Sequence, residues 1–197
     1  MEHIKHSRGL KPLLNKPFFT PAEAEKRGIQ RQTLAHYTKQ GLLTRVCRGI
    51  YRSTDYEPQV EFQWENLGWI TASIPRGIIC LVSALCYYNL TDQIMRKVWI
   101  AIPHNSHPPK RPGSRIIKMR NTKLGKTKIR LGEYHVHIFD RERCIVDAFR
   151  YLSKEIAIKA LKEYLRGSDY KPKLQKLGDY GKILRMDLTP YILACTT

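Results

Sequence analysis

Acidic residues are scarce in this sequence. Against 35 Lys+Arg stand only 17 Asp+Glu in 197 residues, giving a formal charge of +18 and a pI of about 9.9. An excess of that size attracts phosphate at long range in whatever fold carries it, which points to a polyanionic partner. Long apolar runs are missing too. No stretch approaches the ~18–20 residues of a membrane span, and residues 1–14 lack the apolar core and small-residue cleavage site of a secretory signal. A cytoplasmic protein with no membrane partner is the expectation.

Paired cysteines are also absent. Cys47, Cys80, Cys86, Cys144 and Cys195 are odd in number and scattered, with no C-x-x-C among them. That spacing excludes a zinc ribbon or a dithiol redox centre and leaves reduced, mostly buried thiols. Internal repeats and low-complexity segments are lacking, so a solenoid is excluded. With 42% hydrophobic residues the chain has enough apolar material for a core, which excludes disorder throughout.

The charge that is present is uneven. Residues 1–56 carry 11 basic and 4 acidic side chains and residues 57–197 carry 24 and 13, so +7 and +11 make up the total of +18. From Gln93 through Gly132 there are eleven Lys/Arg and no acid. Within that block Val98–Ile102 reads as a buried strand, His104–Gly113 as a Pro-rich loop and Arg115–Met119 as a second strand. Tyr134–Phe139 makes a third, with Val136 and Ile138 alternating against His135 and His137. Apolar residues recur at helical spacing over Gln59–Ile74, Leu81–Tyr88, Cys144–Leu152 and Ile156–Leu165. The expected fold class is α+β, with a domain over 1–56 and a second of helices on a small sheet over 57–197, divided near Asp55–Pro58.

The N-terminal segment has the sharpest local signals. Thr20-Pro21-Ala22-Glu23 combines a hydroxyl N-cap, a Pro at the first helical position and a Glu placed to close a capping box, with Phe19 set to start a hydrophobic staple. The short helix Pro21–Arg27 stops at Gly28, and a second helix runs from Arg31 to Gln40 and ends at Gly41. Leu42–Val46 and Ile50–Arg52 then read as a hairpin turning at Arg48-Gly49. Two short helices followed by a hairpin suggest a winged helix-turn-helix. In the second helix Leu34 and Tyr37 face the core, leaving Gln30, Arg31, Gln32, His36 and Lys39 outward. Arg can grip guanine's major-groove acceptors and Gln can pair with adenine, at ~1–3 kcal/mol of discrimination for a good bidentate contact. We therefore assign Gln30, Arg31, Gln32 and His36 to bases, and Lys39, Arg45, Arg48 and Arg52 to the DNA backbone.

The runs Phe19–Ala24, Gly28-Ile29, Arg31–Leu34, Gly41–Leu43 and Arg48–Arg52 resemble the N-terminal domain of the AbiEi family, antitoxins of type IV toxin-antitoxin (abortive infection) systems. A looser likeness continues through Val82–Leu85 with Leu90, Val98–Pro103 and Asp140–Asp147, where Cys144 stands in place of the family's usual Thr. The resemblance implies an antitoxin that represses its own operon at inverted repeats; a homodimer on DNA is a separate expectation. The resemblance also implies a neighbouring nucleotidyltransferase-like toxin, countered through the C-terminal domain without a stable complex.

Other chemistry has weaker support. Asp140, Glu142 and Asp147 have the residue types of a metal-dependent nuclease, but an N-cap, a first-turn acid and an i,i+4 partner of Arg143 explain them equally well. His135 and His137 share a strand face without a third ligand, and Cys80 and Cys86 lack an activating His. No cofactor, metal or catalytic residue is expected. The acid-free block supplies a secondary basic surface of Lys110, Arg111, Arg115, Lys118, Arg120, Lys123, Lys126, Lys128 and Arg130, which would extend a DNA footprint or bind RNA.

Overall fold

A computed structural model describes residues 9–167 and 170–196. The chain is a mixture of helices and mixed-direction sheet, divided into two compact units. One holds the chain through Trp69 together with Leu131–Tyr134, and the other holds Ile70–Arg130 and the chain from His135 onward. The division falls inside helix α4 (Phe62–Ala72), downstream of residue 56.

The first unit begins with α1 (Lys11–Leu14) and α2 (Pro21–Glu25). The capping box at α2 is complete: the Glu23 amide donates to Thr20 Oγ1 at 3.3 Å and the Thr20 amide donates to Glu23 Oε2 at 2.9 Å. Helix α3 follows (Arg31–Lys39), then the antiparallel strands β1 (Leu43–Cys47) and β2 (Ile50–Ser53), with an irregularity between Arg45 and Cys47. Both helices end in the same way. Gly28 at φ 78° lets the Ile29 amide reach back to the Ala24 carbonyl, and Gly41 at φ 74° does this for Leu42 and Tyr37, each bond being 3.0 Å. A side chain with a Cβ would be strained at either turn.

Leu10, Leu13, Phe19, Ala24, Ile29, Leu34 and Leu43 form the core of this unit, with Leu14, Tyr37 and Tyr51 packed against it. Phe19 and Tyr51 exchange two backbone hydrogen bonds, 2.8 and 2.9 Å, tying the segment before α2 to the hairpin. Each large apolar side chain buried this way contributes ~1.5–3 kcal/mol. The core therefore fixes which face of α3 is inward.

The second unit is built on a five-stranded sheet in the order β5-β4-β3-β7-β6, formed by Ser114–Met119, Val98–Pro103, Ile78–Ile79, Tyr134–Phe139 and Lys126–Leu131, all of it in this unit except Leu131 and Tyr134 at the β6–β7 turn. β3 runs antiparallel to β4 and parallel to β7, and β4 runs parallel to β5. Helices α5 (Leu81–Tyr87), α6 (Arg141–Tyr151), α7 (Lys154–Arg166), α8 (Leu174–Leu184) and α9 (Thr189–Thr196) complete it. Residues 142–149 of α6 are all buried, charged members included. No helix among the described residues is long and apolar enough to cross a membrane.

Candidate nucleic-acid interface

Burial of Leu34 leaves the opposite face of α3 to solvent, where Gln30, Arg31, Gln32, His36 and Lys39 are all exposed. Gln30 is the N-cap and its side chain makes no capping bond. Arg31 Nε donates to Glu25 Oε1 at 2.7 Å, with side chains 74% and 44% exposed. Such a surface pair contributes at most ~1 kcal/mol, so Arg31 leaves it for another acceptor at little cost. His36 and Lys39 lie in the last turn, where the helix dipole favours cations even without a ligand. The turn between α2 and α3 adds Lys26 and Arg27, both exposed and not anticipated from the sequence.

In the hairpin, Arg45 and Arg48 are exposed, but Arg52 is not available as assigned. Its Nε donates to the Pro17 carbonyl at 2.8 Å, and its Nη2 donates to Glu65 Oε1 at 2.7 Å and to the Tyr134 hydroxyl at 3.3 Å. The Tyr134 hydroxyl also donates to Glu65, at 2.5 Å. Burial, followed by the Glu65 carboxylate, pushes the Tyr134 phenol far above its ordinary range. The Arg52 and Glu65 side chains are 18% and 5% exposed. Arg52 thus neutralises a buried carboxylate, a role that its strand position alone could not reveal because Glu65 lies on α4 and Tyr134 is distant in sequence.

The secondary basic surface also divides. Arg111 is held by Ser73, through Nε to Oγ at 2.8 Å and Nη2 to the carbonyl at 3.3 Å, so it is a structural residue and not a solvated cation. Arg115 lies over the Trp99 ring at 4.1 Å. Lys126, Lys128 and Arg130 alternate along the edge strand β6 and are exposed, as are Lys110, Lys118, Arg120 and Lys123. Charge on an edge strand also blocks pairing with another chain, so it has a reason independent of any ligand. His137 lies nearby. Burial, and then Lys126 and Lys128, hold its imidazole below the ordinary 6.5.

The three acids of the nuclease reading are occupied by other groups. Asp140 caps α6 by accepting from the Arg143 amide at 2.9 Å, and it also accepts from Lys176 at 2.9 Å and Tyr180 at 3.1 Å. Glu142 accepts from Tyr164 at 3.0 Å and Lys176 at 3.1 Å. Burial opposes the charge on Lys176, but these two acids outweigh it and hold the ammonium above its ordinary range. Asp147 is buried between Arg143 and Arg150, at 2.7 and 2.8 Å. Desolvation lifts its carboxyl above the usual value despite both guanidinium groups. No group of three potential metal ligands occurs among the described residues.

The surface of the first unit is therefore a polar and basic helix face followed at once by a basic hairpin, an arrangement in keeping with a transcriptional-regulator module. Residues 12–54, from α1 through β2, match the family model for transcriptional regulators described as AbiEi antitoxin, so the resemblance read from the sequence holds over that segment. No curated protein matches the chain.

Proposed function

We propose that this chain is a sequence-specific DNA-binding repressor, and the autoregulating antitoxin of a type IV toxin-antitoxin system. In this reading residues 1–56 act as a winged helix-turn-helix. Helix α3 enters the major groove with Gln30, Arg31, Gln32 and His36 toward base edges. Lys39, Arg45 and Arg48 contact phosphates, and Arg52 braces the hairpin that carries two of them. The observation that carries the reading is the exposed Arg31/Gln32 face of α3 beside the Arg45/Arg48 hairpin, within a segment matching a transcriptional-regulator family. Binding to inverted repeats in its own promoter follows from the family resemblance, and a homodimer would match the two-fold symmetry of such repeats. The same resemblance supports residues 57–197 as the part that counters a nucleotidyltransferase-like toxin without a stable complex.

Two assays test this. A reporter driven by the chain's own upstream DNA should be repressed by the full chain and released by Arg31→Ala with Gln32→Ala; a reporter indifferent to the chain would refute autorepression. Co-expression with the neighbouring gene should restore growth, and that rescue should survive the same substitutions; failure of the wild-type chain to rescue would refute the antitoxin half alone.

A further inference from the structure

Within the second unit, the end of β5, the loop after it, helix α6 from Arg143 to Tyr151 and the C-terminal end of α8 line a cleft of about 490 Å³. Lys118, Arg120, Arg143, Arg150 and Arg185 line it, and no carboxylate does. Asp147 sits behind the lining, where it takes Arg143 Nε at 2.7 Å and Arg150 Nη1 at 2.8 Å. Arg143 Nη1 is further fixed on the Leu124 carbonyl at 3.1 Å. Arg143, its side chain 1% exposed, is thus the buried partner of Asp147, and Arg150, 29% exposed, is the accessible cation held in place before any ligand arrives. Arg185 closes α8 in the left-handed conformation, φ 56°, where glycine would be less strained, and is an exposed residue of the cleft lining.

The charge balance identifies the ligand class. The buried Arg143–Asp147 pair cancels, and the remaining four cations face two helix C-termini, each equivalent to roughly half a negative charge, which leaves an excess of about three. A single carboxylate does not neutralise that excess, whereas a di- or triphosphate does. Guanidinium forks match phosphate oxygens in pairs. The volume falls in the small-molecule range of about 300–1,000 Å³, and the concave shape suits a compact anion better than a duplex backbone. Tyr151 and Ile183, 41% and 56% exposed, add an apolar wall on which a nucleobase can lie.

We propose that this cleft binds a di- or triphosphate group, carried by a nucleotide or as the free inorganic anion, independently of DNA binding by the first unit. The test is calorimetric titration of the full chain with ATP and with tripolyphosphate. It is repeated on Arg185→Gln, on Lys118→Gln with Arg120→Gln, and on a control pair, Lys126→Gln with Lys128→Gln, on β6 outside the cleft. None of these substitutions touches the Asp147 pairs, and unfolding curves would verify that each variant folds. Saturable one-to-one binding is expected, weakened on the order of tenfold or more by the cleft variants and little changed by the control. ATP binding tighter than tripolyphosphate would assign the ligand to a nucleotide, and equal affinity would assign it to the free polyphosphate. No saturable binding, or equal weakening by cleft and control variants, would overturn the proposal. Loss of duplex affinity in step with the cleft variants would also overturn it, by making the cleft part of the DNA footprint; the DNA-binding reading would stand in that case.

Discussion

Replacing Arg52 separates the two roles an arginine in the hairpin can have. Arg52→Ala removes the cation from Glu65, whose side chain is 5% exposed, and the donor from the Pro17 carbonyl. Breaking a buried ion pair from one side costs ~3–5 kcal/mol. Arg52 itself is 18% exposed, so water admitted at the truncated site solvates part of the freed carboxylate, and the lower end applies. Adding the lost bond to Pro17, at ~1 kcal/mol, the expected destabilisation is about 4 kcal/mol, roughly a thousandfold rise in the unfolded fraction. Urea unfolding followed by circular dichroism reads this directly. Duplex binding, measured where the variant is still folded, should keep its affinity and salt slope. Arg52→Lys should recover little stability, because one ammonium cannot replace a planar fork holding Pro17 and Glu65 together. An unfolding free energy within ~0.5 kcal/mol of wild type, with a salt slope reduced by about one, would refute this account and return Arg52 to the DNA backbone.

Four further outcomes follow from the same structure. Arg45→Ala should weaken all duplexes alike and lower the salt slope by about one, with unfolding unchanged, whereas Arg31→Ala should cost ~1–3 kcal/mol on the preferred duplex and little on scrambled DNA; uniform loss in both would refute the assignment of Arg31 to bases. Leu34→Ala, at a fully buried position, should cost ~2–5 kcal/mol and abolish duplex binding at moderate temperature. By NMR, His137 should titrate below 6.5 and move back up in Lys126→Gln with Lys128→Gln; because its folded value is depressed, the stability it contributes is present above 6.5 and lost as pH falls through that lower value. Burial raises the Glu23 carboxyl, but Lys16 and the two Thr20 hydrogen bonds outweigh it and the net value is lowered from 4.5. Its contribution to α2 should therefore be present above 4.5 and lost as pH falls through the lower folded value, and Thr20→Ala should shrink that acid dependence.

How far the sequence could be read depended on how local each signal was. Thr20, Pro21, Glu23, Gly28 and Gly41 act through neighbours a few residues away, so both short helices and their ends could be read directly. Tyr134–Phe139 was equally clear because Val136 and Ile138 are buried while His135 and His137 are not. β6 was missed: its Lys-Thr-Lys-Ile-Arg-Leu alternation lies inside a charge-rich block, where basic character hid the strand period, although Gly125 and Gly132 bracket it. β3 is two residues long and exists through its pairing with β4 and β7. α8 carries Gly178 and Gly181, which weaken the helical pattern. Arg52 and Arg111 looked like solvated cations because their partners, Glu65, Tyr134 and Ser73, come together only in the folded chain. The cleft was invisible for the same reason, since Lys118, Arg143 and Arg185 lie on three separate elements.

The central claim is tested most directly by the affinity of the full chain for its own upstream duplex, a scrambled duplex and single-stranded RNA across a salt series. A preference of ~10³-fold or more for the upstream duplex is predicted, with a slope near −3 per protomer from phosphate contacts by Lys39, Arg45 and Arg48. Equal, steeply salt-dependent binding to all three would contradict the account, reducing the exposed face of α3 to a basic surface without sequence preference.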